Sequence, residues 1–368
     1  MESVACPSIV VITYRRHAAV RRLMRFYSDY PGQIVIVDGS PESMADPPVR
    51  GGDLYLSMPE SPGYRRIAEG IARASADACA LGADDDYHVA DGLRECARTL
   101  ASRPEVACVA GTAVYFEPGE RSPDRAMADC AVERVLDIDD GPDPGRRFAS
   151  AISLGPQVFY SCMRTSVARA VSSALSGLPD SDGLVGEQLW NALPSLFGRV
   201  AMVERLQLCR SVGRRDYTEY LAPFAALDDI AEWESYPSMR ERILALARDA
   251  GLDRMRSEAV VDCWRQFAAQ TARGRRSWNA RKFPLLHSMR RVARNLSSNL
   301  GVAVSPIAWF DEATRNIVRK SAAARLLRSS AYPWADPDAR RAFCRVMDFD
   351  AQPTAPAPAT ASMRRARA

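Results

Sequence analysis

Three consecutive carboxylates, Asp84, Asp85 and Asp86, stand directly after a short apolar run over residues 78–81. Adjacent anions repel one another, so a cation is expected among them. Carboxylate oxygens are hard ligands that suit Mg²⁺ or Mn²⁺, and these ions commonly bridge to the phosphates of a substrate. Acidic runs of this kind also occur in solvated loops, so the meaning of this acidic triplet (residues 84–86) depends on the elements that precede it.

The elements before the acidic triplet alternate between strand and helix. Apolar, β-branched runs predict strands over 8–13, 33–37, 54–56 and 78–81, with helices over 18–27 and from Ser61-Pro62 onward. In the second helix a capping serine precedes a proline in the first turn. This alternation predicts an α/β fold with a parallel sheet and right-handed crossovers.

Two further polar clusters stand where predicted strands end. Thr13-Tyr14-Arg15 follows the first strand, and Asp38-Gly39-Ser40 follows the second. Because ligands bind beyond the carboxyl ends of the strands in such sheets, these clusters and the acidic triplet are expected to converge at one edge. The convergence carries more weight than any single cluster, and it makes this edge the candidate ligand site.

The rest of the chain divides into an α/β part and a helical part. Further elements predicted up to the last strand are helices over 92–102, 165–175 and 186–196 and strands over 106–112, 157–160 and 199–208. From about residue 227 the pattern is helical, over 238–250, 256–272, 285–299, 311–329 and 337–347. We therefore predict an α/β domain over 1–225, a helical region over 226–350 and a disordered, Ala/Pro/Thr-rich tail over 351–368.

Composition limits the classes of function. The chain has 368 residues, of which 47% are hydrophobic, enough for one large domain or two ordinary ones. No apolar run approaches the ~20 residues that cross a bilayer, and no signal pattern opens the chain, so we expect a soluble, cytoplasmic protein. Nine scattered cysteines without a CxxC pair argue against a zinc site, and three histidines leave little room for a histidine-based mechanism. The net charge of +4 does not indicate a nucleic-acid partner.

Two charged stretches lie outside the predicted sheet edge. Residues 271–300 carry eight basic residues and no acidic one, interleaved with aromatic and aliphatic side chains. This stretch is either a solvated helical face or a surface for an anionic polymer or for anionic lipids at the inner face of a membrane. Residues 137–143 are acidic but follow no buried strand, which favours a solvated loop over a second metal site.

Three short motifs lead, in order, to the acidic triplet. They are Val11-Ile12-Thr13-Tyr14-Arg15-Arg16, Val37-Asp38-Gly39-Ser40 and Gly70-Ile71-Ala72-Arg73-Ala74-Ser75-Ala76-Asp77. In this order and spacing they resemble a glycosyltransferase domain of the GT-A type, similar to the family 2 enzymes. The resemblance covers the N-terminal third well and the region to about residue 215 loosely. It implies a Rossmann-like, mostly parallel sheet flanked by helices, here followed by an α-helical C-terminal region.

The resemblance implies a sugar transfer, with inversion, from a nucleotide-diphosphate donor to a hydroxyl of a glycan or glycolipid precursor in surface polysaccharide synthesis. Asp38 would accept a hydrogen bond from the nucleotide base, while Asp84 and Asp86 would hold Mg²⁺ or Mn²⁺ against the leaving diphosphate. The donor-binding residues that it implies are Thr13, Tyr14, Arg15, Asp38, Ser40, Asp84, Asp85 and Arg210.

The acceptor hydroxyl also needs a general base. In similar enzymes a carboxylate at the start of a later helix has this role, and Glu187, expected to begin the helix over 186–196, fits best. Asp182 and Asp180 are rivals in the loop before it. Glu187 has a purely structural alternative, since acidic residues favour the first turn of a helix. Arg210 is either a contact to the diphosphate or an ordinary loop arginine.

The chain departs from the family pattern at three points. Ile67-Ala68 replaces an Arg-Asn pair, Ala83 stands at the first position of a four-Asp run, and no histidine follows the last strand. His88 is expected in a loop rather than as a metal ligand. A catalytically inactive GT-A-like binding protein therefore stays an alternative. A sugar-phosphate nucleotidyltransferase is another, although the glycine-rich phosphate loop that such enzymes need has no counterpart in residues 14–19.

Overall fold

The computed structural model describes residues 6–116, 131–133, 141–154, 158–211, 231, 233–282 and 336–350. Within these ranges the strands β1 to β9 are Ser8–Thr13, Ile34–Asp38, Leu54–Ser57, Ala78–Ala83, Asp86–His88, Val106–Phe116, Ala131–Glu133, Cys162–Arg164 and Arg199–Ser211. The helices α1 to α10 are His17–Phe26, Gly63–Ala72, Ala90–Ser102, Pro144–Leu154, Thr165–Leu175, Gly183–Ala192, Pro194–Phe197, Tyr236–Asp249, Arg254–Lys282 and Pro337–Asp350. None of the described helices is long and apolar enough to cross a membrane.

The strands form one mixed sheet in the order β3-β2-β1-β4-β8-β6-β9-β5, with β7 paired to β6. The first four strands in this order run parallel, as predicted from the alternation of strand and helix. Beyond them, β8 is antiparallel to both of its neighbours, and β5 is antiparallel to β9. The predicted fold class, an α/β sheet flanked by helices, is therefore confirmed, with the antiparallel pairs confined to the second half of the sheet.

Alternate side chains of each strand enter opposite layers, because successive residues of a strand point to opposite faces. Ile9 and Val11 of β1 belong to a core shared with α1, α3 and α10, whereas Val10 belongs to a core on the other face. The second core contains apolar side chains from α2, α4, α5, α6, α8 and α9: Ile71, Phe148, Val171, Leu189, Ile243 and Trp264. The helices after residue 226 thus pack into the same two cores, α8 and α9 on one face of the sheet and α10 on the other.

Several predicted boundaries were wrong. The strand expected over 157–160 lies instead at Cys162–Arg164, and the helix expected over 186–196 begins at Gly183 and breaks before Pro194. The break follows from proline, which cannot donate a backbone hydrogen bond in a helix interior. The helices predicted over 238–250 and 337–347 are confirmed. Predicted helices 285–299 and 311–329, the tail 351–368 and the acidic residues 137–140 lie outside the described residues.

The predicted serine cap of the second helix was also wrong. Helix α2 begins at Gly63 without a side-chain cap from its own segment, and the buried Ser61 hydroxyl has no partner. Instead, Asp180 Oδ1 accepts a hydrogen bond from the backbone N–H of Gly63 at 2.6 Å. A carboxylate at this position suits the exposed N–H groups and positive dipole of a helix N-terminus.

Candidate functional site

Three strand ends meet at one edge of the sheet, as the sequence predicts. Thr13 and Asp38 are paired residues of β1 and β2, and Asp84 directly follows β4. The Thr13 hydroxyl donates to Asp84 Oδ2 at 2.7 Å, which joins the first strand to the acidic triplet. The Thr13 carbonyl accepts from the Gly39 N–H at 3.0 Å, which joins it to the second polar cluster. Thr13 therefore connects the acidic triplet to the Asp38 cluster.

Asp38 is a buried carboxylate with four hydrogen bonds. One oxygen accepts from the backbone N–H of Ser40 at 2.8 Å and from the Ser40 hydroxyl. The other accepts from the Tyr55 hydroxyl at 2.6 Å and contacts His17 Nε2 at 2.8 Å. Burial acts to raise the pKa of Asp38, but these hydrogen bonds outweigh it and hold the pKa below its ordinary value. Asp38 is thus an ionised acceptor at a fixed position.

The turn after β1 exposes an aromatic ring beside this carboxylate. Arg15 has a left-handed φ of 55°, and its N–H donates to the Ser40 hydroxyl at 2.7 Å. Such a φ is uncommon for a residue other than glycine. The Tyr14 side chain is exposed, and the guanidinium groups of Arg15 and Arg66 lie 5.1 and 5.8 Å from its ring centre. An exposed ring at this edge of the sheet suits stacking against a planar ligand such as a nucleobase.

Arg66 is a functional candidate that sequence reasoning missed. Its side chain is buried, Nη1 donates to the Thr13 carbonyl at 2.7 Å, and Nε has no partner. Gly39 makes room for it, because a Cβ at that position would lie 2.7 Å from Arg66 Cζ. The sequence signal was an arginine directly before Ile67-Ala68, the pair that replaces the Arg-Asn of the family pattern.

The acidic triplet is held by two arginines. Arg16 Nη1 binds Asp84 Oδ1, and Arg16 Nη2 binds Asp85 Oδ2 at 2.9 Å. Asp86 faces Arg210 across the β5–β9 pair, with Arg210 Nε 3.7 Å from Asp86 Oδ2. Burial raises the pKa of Asp86 to about 7, and Asp85 adds to this, while Arg210 and hydrogen bonds from Tyr160 and the Ser211 N–H act in the opposite direction.

The expected loop around the triplet was wrong in part. Asp86 begins β5, a short strand that pairs with β9 and that the sequence pattern did not predict. His88, expected in a loop, is the buried last residue of this strand, and its Nε2 hydrogen-bonds the Leu81 carbonyl at 2.6 Å. Burial lowers the pKa of His88 to about 4, so its ring is neutral at pH 7.

Glu187 lies in the second turn of α6 rather than at the helix start, because α6 begins at Gly183. Burial raises the pKa of Glu187, and the positive charge of Arg210 acts against this. Arg210 in turn stacks on Tyr160, with Cζ 4.7 Å from the ring centre. The same arginine therefore links the predicted general base electrostatically to Asp86 of the acidic triplet.

The two rival carboxylates are held by neighbouring elements. Asp180 accepts from the N-terminal N–H of α2, as described above. Asp182 is buried and accepts from the Ser235 hydroxyl at 3.1 Å, directly before α8. Both residues therefore tie the loop before α6 to other helices.

Carboxylates alone do not complete a metal site here. Within the described part of the chain, no group of three or more His, Cys, Asp or Glu side chains converges to hold a metal ion. Mg²⁺ commonly takes only one or two carboxylates and completes its coordination with substrate phosphates and water. The carboxylate oxygens of Asp84 and Asp86 are of the hard type that such an ion takes.

No protein-family model matches the chain, and no curated protein matches its sequence. Among solved structures, the chain is similar to S. aureus TarS, with 12% identity and a TM-score of 0.37 over 71% of this chain and 54% of that one. S. aureus TarS 1–349 gives 11% identity and a TM-score of 0.41 over 93% and 90% of the two chains. Its complex with UDP-GlcNAc gives 13% and 0.41 over 69% of each chain. The match thus spans about half the length of the first of these TarS chains.

Proposed function

We propose that this chain is a glycosyltransferase that moves a sugar from a nucleotide-diphosphate donor to a hydroxyl of a glycan or glycolipid precursor. The observation that carries the proposal is that Thr13 connects two carboxylate clusters, the one around Asp38 and the acidic triplet. Asp38 is ionised and would exchange one of its four hydrogen bonds for one from a base N–H, and the acidic triplet lies on the other side of β1. A nucleotide whose base reaches Asp38 places its phosphates toward that triplet.

The donor would be held by residues from the turn after β1 and the end of β2. Thr13, Tyr14, Arg15 and Ser40 line the side of the site that contains Asp38. The leaving diphosphate is an anion, so the site needs positive charge more than it needs a nucleophile. Arg66, which binds the Thr13 carbonyl, and Arg210, which lies beside Asp86, would supply it.

Asp84 and Asp86 would hold Mg²⁺ or Mn²⁺ once the donor phosphates are present, and Asp85 lies between them. A divalent cation in this position supplies positive charge to the departing diphosphate. The acidic residues themselves orient the donor and keep the cation at the sheet edge. This assignment rests on the carboxylate ligand set and on the motif resemblance.

Glu187 would be the general base. A half-buried carboxylate with a raised pKa is a stronger base than an exposed one, and general-base catalysis contributes typically 10²–10⁴-fold. It would accept the proton of the acceptor hydroxyl as that oxygen attacks the anomeric carbon and the nucleoside diphosphate leaves from the opposite side. One displacement of this kind inverts the anomeric configuration. Asp182 is the rival residue for this role.

The acceptor side involves the basic residues 271–300. The backbone continues as helix α9 to Lys282, and the remainder lies outside the described residues. We infer from the charge alone that this stretch contacts an anionic acceptor or the inner face of a membrane, so that the chain would work as a peripheral cytoplasmic enzyme in surface polysaccharide synthesis.

Calorimetric titration with UDP and GDP, with and without Mn²⁺, tests the donor site. We expect one of these nucleotides to bind, and Asp38→Asn to weaken binding at least tenfold. Asp53→Asn is the matched control, because Asp53 is also a buried carboxylate that accepts from a backbone N–H, that of Ile34 at 2.8 Å. Absence of nucleotide binding under every condition would overturn the donor site and favour a binding protein without activity.

A further inference from the structure

We propose that the side-chain cation of Arg16 occupies Asp84 and Asp85 of the acidic triplet while no donor is bound and gives way to a divalent cation only when a nucleoside diphosphate arrives. The proposal deepens the proposed function and rests on it. Its ligand class is a nucleoside diphosphate together with Mg²⁺ or Mn²⁺. Its consequence is that the two ligands bind cooperatively through one side chain.

The contacts of the Arg16 guanidinium carry the proposal. Its two terminal nitrogens bind one oxygen each of Asp84 and Asp85. The second oxygen of Asp84 accepts from the Thr13 hydroxyl. The Arg16 side chain is 28% exposed, whereas those of Asp84 and Asp85 are 4% and 13% exposed. A cation that comes from solvent therefore meets a guanidinium before it meets the carboxylates.

The position of Arg16 in the chain leaves its side chain able to move while its backbone stays fixed. Arg16 precedes α1, and its carbonyl accepts from the N–H groups of Ala19 and Val20 at 2.9 and 3.1 Å. The guanidinium is at the end of a long, flexible side chain that enters the triplet from this anchor. Breaking a largely buried ion pair without replacement is costly, so Arg16 leaves only if both sides regain a partner of opposite charge.

A diphosphate that arrives with a divalent cation supplies both partners. Guanidinium groups bind phosphate oxygens with two parallel hydrogen bonds, which makes phosphate a good partner for the displaced Arg16. The carboxylates regain a cation in the divalent ion, whose remaining ligands come from the same phosphates. Neither ligand alone completes the exchange. The metal alone leaves the guanidinium without an anionic partner, and the diphosphate alone leaves the carboxylates without a cation.

Arg66 gives an independent sign that an anion belongs beside this pair. It is only 8% exposed, its Nε has no partner, and its Nη1 binds the carbonyl of the residue whose hydroxyl binds Asp84. A buried guanidinium with an unused donor is costly unless a ligand completes it. Arg66 and Arg16 are thus linked through Thr13 and Asp84, so an anion that binds Arg66 would lie on the side of the site that Arg16 also serves.

Free Mn²⁺ measured by electron paramagnetic resonance tests the proposal on the full chain. In the wild type we expect UDP or GDP to tighten Mn²⁺ binding at least tenfold, and by linkage Mn²⁺ to tighten nucleotide binding equally. In Arg16→Gln, Mn²⁺ should bind without nucleotide at least tenfold more tightly than in the wild type, and the coupling should shrink. Arg21→Gln, which changes an exposed arginine of the helix that follows Arg16, should behave as the wild type.

Two results overturn the proposal: equal Mn²⁺ affinity in wild type and Arg16→Gln without nucleotide, or no effect of nucleotide on Mn²⁺ binding to the wild type. Calorimetry of UDP and GDP, with Mn²⁺ and with EDTA, separates this from the proposed function. If neither nucleotide binds to any variant under either condition, the donor site fails, whereas nucleotide binding with uncoupled Mn²⁺ refutes the role of Arg16 alone. Circular dichroism of Arg16→Gln verifies that the variant folds.

Discussion

Asp38 shows how a single buried carboxylate is kept charged. Transfer of an ionised group out of water is unfavourable, and this cost is offset here by four hydrogen-bond donors on two oxygens. Three different segments supply those donors, the start of α1, the turn after β2 and strand β3. The carboxylate therefore also holds these segments together.

The lowered pKa of Asp38 predicts a pH-dependent stability. Its contribution is present above the unfolded-state pKa of about 3.9 and is lost as the pH falls through the lower folded-state value. Asp38→Asn should reduce the free energy of unfolding by about 1–3 kcal/mol at pH 7, with the difference narrowing below pH 4. Urea denaturation at pH 7 and pH 3 measures this. A difference that stays constant across this range would show that the charge of Asp38 is not its cause.

Glu187 should behave in the opposite way. A folded-state pKa raised above the unfolded value adds stability below the unfolded pKa, and that stability is lost as the pH rises through the folded value. Glu187→Gln should therefore be at least as stable as the wild type at pH 7 and yet lose about 10²–10⁴-fold in kcat. Thermal unfolding and donor turnover are the two measurements. Loss of activity in Asp182→Asn, with Glu187→Gln active, would move the base to Asp182.

At the residue scale, the sequence predicted which residues at the ends of strands would meet. It did not predict the arginines whose long side chains reach the site from neighbouring turns and helices. Thr13, Asp38 and Asp84 were predicted to meet because parallel strands share an edge. The partners Arg16 and Arg66 were missed because their placement depends on side-chain direction in a turn and on a glycine-lined gap. Neither can be derived from periodicity.

At the element scale, helix α2 depends on a cap from far along the chain. Asp180→Ala should reduce the free energy of unfolding by about 0.5–2 kcal/mol, because the N-terminal N–H of Gly63 loses its acceptor. Asp180→Asn, which keeps an acceptor oxygen, should stay close to the wild type in both stability and activity. Chemical denaturation of the two variants measures the cap, and inactivity of a stable Asp180→Asn would instead assign Asp180 to catalysis.

Packing between α2 and α6 positions the predicted base. A Cβ on Gly186 would lie 2.2 Å from Cζ of the buried Tyr64, whose hydroxyl donates to the Gly183 carbonyl at 3.1 Å. Gly186→Ala should therefore lower the free energy of unfolding by about 1–3 kcal/mol, although alanine favours helices by ~1 kcal/mol. Gly51→Ala, with no atom within 4 Å of the added methyl group, is the control and should change it by less than about 0.5 kcal/mol. Equal effects in denaturant melts would contradict this packing argument.

The long, periodic elements were predictable, and the short ones were not. Strands β1, β2 and β4 are apolar runs bounded by polar turns, so their pattern alone identifies them. Strand β5 has three residues and exists because β9 offers it a partner. A sequence pattern cannot show that partner, and the same holds for β8, which is defined by pairing with β4 and β6.

At the scale of the whole molecule, α10 completes the core on the α1 side of the sheet. Phe343 is fully buried, its ring centre lies 5.9 Å from that of Phe116, and Arg345 binds Asp29 at 2.7 Å. Phe343→Ala should reduce the free energy of unfolding by about 3–5 kcal/mol. Arg345→Gln should reduce it by less than about 1 kcal/mol, because that ion pair is half exposed. Urea melts of the two variants compare them, and similar losses would mean that charge rather than burial attaches α10.

The strand order also sets when the site can exist during synthesis. Strands β1 to β4 and their helices leave the ribosome first, and domains fold as units while the chain emerges. The residues around Asp38 are therefore synthesised early, whereas Arg210, the partner of Asp86, arrives with the last strand. A chain that ends before β9 would have the Asp38 cluster without the Asp86–Arg210 pairing. Under the proposed function, such an unfinished polypeptide would lack part of the site that handles the leaving diphosphate and should not consume an activated sugar.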